Sequence, residues 1–81
     1  MIITDLMEYV GLKVRVYFED NMKSKKSGKI LEGYLEYVPS YCELYNYRRP
    51  KHFYISTKDG DWAFRAWHVK KVEVITNDGS N

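Results

Sequence analysis

LKVRVYFED (residues 12–20) decides how the rest of the chain is read. Leu12, Val14, Val16 and Phe18 fall on one side of an extended backbone, and Lys13, Arg15, Tyr17 and Glu19 fall on the other. Alternation with a period of two is the pattern of a strand with one face buried and one in water. A strand of this kind needs partners, and the flanking sequence supplies them in short pieces.

Upstream, TDLMEYVG (4–11) reads as a short helix. Thr4 or Asp5 can cap its first amides, with Glu8 three residues after Asp5 as in a capping box. Leu6, Met7 and Val10 form its apolar stripe and Gly11 supplies the stop. So few turns do not persist alone, so this helix must dock on the sheet. Downstream, the polar loop 21–29 carries Lys23, Lys25, Lys26 and Lys29 around Ser27-Gly28. It reads as a solvated connection or as an electrostatic landing patch for a polyanion.

A second strand follows over KILEGYLEYV (29–38), with Ile30, Leu31 and Leu35 as core residues and Gly33 marking a bend or bulge. Residues 41–50 read as a third strand followed by an exposed loop. HFYISTKDG (52–60) is a strand running into an Asp59-Gly60 turn, a strong short hairpin signal. In the returning strand, Trp62, Phe64 and Ala66 share one face, and Ala63, Arg65 and Trp67 the other. Val69 is out of phase with Val72 and Val74, which predicts a break near His68. The inward positions Val14, Val16, Leu35, Phe64 and Val72 are the expected core, and TNDGSN (76–81) reads as a flexible tail.

The chain thus reads as mainly β: one domain over residues 1–75, a five-stranded antiparallel barrel with a short N-terminal helix. Closure is the expected solution because it removes exposed strand edges. In 81 residues, 44% of them hydrophobic, only one modest core fits. A chain this short buries only about 60% of its unfolded surface, so homo-oligomerisation would help it.

GLKVRVYFED after a short helix, Gly33 followed by Leu35 in a bent strand, and FRAWHVKKVEV (64–74) together resemble the Sm-like family. Its small barrels share the Src-homology-3-like architecture. Arg65 stands at the arginine of that family's second motif, with Ala66 where glycine is usual. The resemblance spans residues 4–75 and implies the barrel fold and binding of single-stranded RNA. It also implies that Tyr41 occupies the position whose ring stacks on a base. The departures fall on other contacts: Pro39 replaces the usual aspartate, Glu43 replaces the RNA-contacting asparagine, and residues 48–60 have no counterpart.

A net charge of +2, from 13 basic and 11 acidic residues, makes no general nucleic-acid magnet. Any basic surface must come from local clustering. YCELYNYRRPKHFY (41–54) interleaves Tyr41, Tyr45, Tyr47 and Tyr54 with Arg48, Arg49, Lys51 and His52. Rings that hold bases beside cations that hold phosphates are what a single-stranded nucleic-acid groove needs. The same residue types dominate protein-binding hot spots, and tyrosines covering a small barrel would explain them without any partner. Arg65 could stack on Trp67, bind phosphate, or pair with Glu36 or Glu73. Trp62, in phase with Phe64, reads as a core or rim ring.

The candidate binding residues are therefore Tyr41, Tyr45, Tyr47, Arg48, Arg49, Lys51, Arg65 and Trp67. Their partner is a single-stranded nucleic acid or, alternatively, a protein, as for an adaptor or a phage or mobile-element inhibitor. Lysine usage and tyrosine richness suit a bacterial or phage source. No Ser-His-Asp set, phosphate-binding glycine loop or paired-acid constellation points to an enzyme, and no cofactor is expected. His52 and His68 stand sixteen apart without a companion ligand, so no metal is expected. Cys42 is alone and reads as a packed or idle thiol, with a cytoplasmic setting and no membrane segment expected.

Overall fold

The structure is a computed structural model that describes residues 1–21, 23, 25–38 and 51–75. The expected third strand, Cys42, the tail 76–81 and five candidate binding residues (Tyr41, Tyr45, Tyr47, Arg48 and Arg49) lie outside the described residues.

Helix α1 (Ile3–Met7) is followed by β1 (Lys13–Phe18), β2 (Ile30–Tyr37), β3 (Phe53–Thr57) and β4 (Gly60–Phe64). A 3₁₀ turn (Ala66–His68) then leads into β5 (Val69–Val74). The five strands form one antiparallel sheet in the order β4-β3-β2-β1-β5. The expected closed barrel does not form. β4 and β5 end the sheet, and no ladder joins them among the described residues.

The sheet instead folds over on itself along β2. Ile30–Tyr34 of β2 pair with β1, while Leu35–Tyr37 pair with β3. Gly33 stands at the changeover, and a side chain there would collide with β3. A Cβ would lie 2.7 Å from Ile55 Cγ2 and 2.8 Å from the Ser56 carbonyl oxygen. Without one, β1, β2 and β5 cross over β2, β3 and β4, and the two layers meet ring to ring. Phe18 of β1 contacts Phe64 of β4 edge-on with centroids 5.0 Å apart, and Phe53 stacks on Phe64 at 6.3 Å. Val14, Val16, Leu35, Ile55, Phe64 and Val69 are fully buried between them.

α1 spans five residues, not the expected eight. No side chain caps it, its N-cap being Ile2 rather than Thr4 or Asp5. Leu6 holds it in place by being fully buried, a contribution of about 1.5–3 kcal/mol. Gly11, at φ 89°, then turns the chain and donates to the Leu35 carbonyl at 2.8 Å.

The register of β1 follows the alternation at Val14, Val16 and Phe18, but Leu12 lies before the strand and is exposed. Ile30 is also exposed, because β2 buries its odd-numbered residues Leu31 and Leu35. Val72 is half-buried and Val74 exposed, since β5 is an edge strand whose far end reaches beyond the core. The hairpin turn is Lys58-Asp59, one residue earlier than expected: Gly60 already pairs with Thr57. Among the described residues no helix is long and apolar enough to cross a membrane.

Candidate functional site

Charged side chains gather at two places on the molecule. On the outer face of β2, β1 and β5, Arg15 Nε donates to Glu32 at 2.7 Å and its Nη1 lies 3.5 Å from Glu73. The Tyr17 hydroxyl donates to Glu73 at 2.6 Å, and Lys71 lies 3.7 Å from the same carboxylate and over the Tyr17 ring. Arg15 stands directly opposite Glu32 and Glu73 in the ladders, so the network reinforces register. Exposed pairs of this kind are screened by solvent and contribute little to stability. Within this network two cations meet two carboxylates.

The Tyr17 hydrogen bond, followed by the charges of Lys71 and Arg15, holds the Glu73 carboxyl below its ordinary value of 4.5. A depressed carboxyl stabilises the fold above its unfolded-state pKa, and that contribution is lost as pH falls through the lower folded value. The window is therefore acidic. Tyr17→Phe is expected to move the Glu73 pKa upward in an NMR titration. An unchanged value would show that the hydroxyl does not hold the carboxylate.

A second group of charged side chains lies where the β1–β2 turn meets the end of β4. Lys26, Lys51 and Arg65 come from three separate segments and converge there. Burial, then repulsion from Lys51 and Arg65, lowers the Lys26 pKa. Backbone bonds fix the turn: Gly28 donates to the Glu19 carbonyl at 2.9 Å, Lys29 donates to Lys26 at 2.9 Å, and Glu19 donates to His68 at 3.0 Å. The last of these stitches the lysine turn to the 3₁₀ turn that carries Trp67.

Arg65 is half-buried in extended backbone immediately before that turn. Trp67 is 64% exposed, with its ring 6.1 Å from that of His68. Lys51 precedes β3, where His52 accepts from the Val38 amide at 2.6 Å and so joins the two described ends flanking 39–50. The structure thus brings Lys51 and Arg65 together, with Trp67 two residues beyond Arg65. Lys26 is the member the sequence did not single out. Its signal was the lysine-rich composition of loop 21–29, which does not reveal which lysine turns toward β4. Of the carboxylates considered for Arg65, Glu73 belongs to the Arg15 network on the other face.

Trp62 is half-buried and packs on the core, as its phase with Phe64 predicts. The Lys29 ammonium sits 5.6 Å from its ring centroid, a contact of about 0.5–1 kcal/mol at an exposed position. Among the described residues no group of three His, Cys, Asp or Glu side chains could hold a metal ion. No protein-family model, curated protein or solved structure matches the chain.

Proposed function

We propose that this chain is a non-catalytic binding module, a divergent Sm-like domain with an open sheet, that holds single-stranded nucleic acid, RNA above all. The observation that carries the reading is the convergence of Lys26, Lys51 and Arg65, with the exposed Trp67 two residues beyond Arg65 in the chain. Like charges held together destabilise one another, and a phosphate backbone is the partner that reverses the sign of that interaction. The exposed indole two residues from Arg65 offers any base a stacking face. In the sequence, Arg48 and Arg49 precede Lys51 by three and two residues, and Tyr41, Tyr45 and Tyr47 stand upstream of them.

The test is a set of salt titrations with a labelled single strand. Replacing Lys26 and Lys51 by methionine and Arg65 by glutamine is expected to shrink the slope of log affinity against log salt by about 0.7 per phosphate contact, or about 2 in total. Trp67→Ala should weaken binding by roughly 1–3 kcal/mol and leave the slope unchanged. Lys71→Gln, in the Glu73 network on the outer face, should change neither. An unaltered slope in the triple variant would overturn the assignment. A partner bound without salt dependence would favour the alternative, a protein-interaction surface anchored on Trp67 and Arg65.

A further inference from the structure

We propose that the open groove between β2 and the β3–β4 hairpin is a second nucleotide subsite, with Trp62 as its stacking platform and Lys29 and Lys58 as its phosphate contacts. The proposal rests on the nucleic-acid reading above and extends it to a region none of whose residues belongs to the Lys26 cluster. The groove has a volume of about 740 Å³, within the range of sites that hold a small ligand. Lys13, Lys29 and Lys58 line it together with Trp62.

Two acids also line the groove, Glu32 and Asp59. The Glu32 carboxylate is held by Arg15 at 2.7 Å, which leaves three lysines against Asp59. The walls therefore carry net positive charge around one aromatic ring. Lys29 covers that ring in the free protein. A base stacked on an indole is worth more than an exposed lysine over it, so a nucleotide displaces the ammonium, which then reaches the adjoining phosphate. Lys29 is also bonded through its backbone to Lys26. One turn thus presents a lysine to each subsite, and a single strand crossing it would contact both.

Trp62 and Trp67 are the only tryptophans, so Trp67→Phe leaves Trp62 as the sole indole reporter. A labelled pyrimidine strand of about 12 nucleotides, within the span of known single-strand sites, is titrated into this variant to saturation. The expected result is quenching of Trp62 emission as the label reports binding. In the parent background, Lys29→Met with Lys58→Ala is expected to reduce the salt slope by up to about 1.4. Both lysines are exposed, so the fold tolerates these changes. Binding with Trp62 emission and salt slope both unchanged would overturn the second subsite and leave the primary one standing. Absence of strand binding by the parent protein would remove both.

Discussion

Phe64→Ala is expected to leave the domain close to unfolding. Phe64 is fully buried, touching Phe18 of the facing layer and its own cross-strand neighbour Phe53, so its ring is where the two halves of the sheet meet. Removing a buried phenylalanine costs about 3–5 kcal/mol, lost transfer energy plus the cavity left behind. At about 0.05–0.15 kcal/mol per residue, a chain of this length has roughly 4–12 kcal/mol in total. The denaturation midpoint should fall steeply, with the slope against urea retained if the variant still folds. Val74→Ala, at an exposed edge position, should move it little. A loss below about 1 kcal/mol at Phe64 would mean that the two layers do not meet there.

Gly33→Val is expected to be the second most damaging change, although valine prefers strands and glycine does not. The added Cβ would stand 2.7 Å from Ile55 Cγ2 and 2.8 Å from the Ser56 carbonyl oxygen. The methyl can yield by a rotation. The carbonyl belongs to β3 next to the Leu35–Ile55 pair and moves only if the ladder opens. Overpacking of this kind costs about 1–3 kcal/mol, occasionally more. Gly33→Ala should show the larger part of the loss, because the collision begins at Cβ. A neutral result for both would mean that β2 runs flat through this position.

What could be read without coordinates was what depends on local periodicity. The alternation of Val14, Val16 and Phe18 fixes the buried face of β1, and the phase slip at Val69 marks the 3₁₀ turn. Trp62 follows Phe64 onto the rim for the same reason. Leu12 and Ile30 are apolar yet exposed, because composition does not say which residue of a consecutive apolar pair the strand turns inward. The open edge between β4 and β5 depends on how far β2 coils, which is set by contacts between residues distant in sequence. The meeting of Lys26, Lys51 and Arg65 is of that kind too. Each lies outside a strand, where no periodicity governs direction. Tyr41, Tyr45, Tyr47, Arg48 and Arg49 were legible as an aromatic-basic composition, and nothing in that composition fixes which way their side chains face.

If the clustered cations hold a single-stranded backbone, as proposed, affinity for a labelled single-stranded RNA depends steeply on salt, and measuring it at two salt concentrations shows this. Three phosphate contacts from Lys26, Lys51 and Arg65 give a slope of about 2, and contacts from Arg48 and Arg49 raise it to about 3.5. Between about 50 and 200 mM salt the affinity should then fall by roughly 20-fold to roughly 100-fold. Measurable binding at the lower concentration with that loss at the higher one is the predicted result. No binding to any single strand at about 50 mM salt would rule out a nucleic-acid partner.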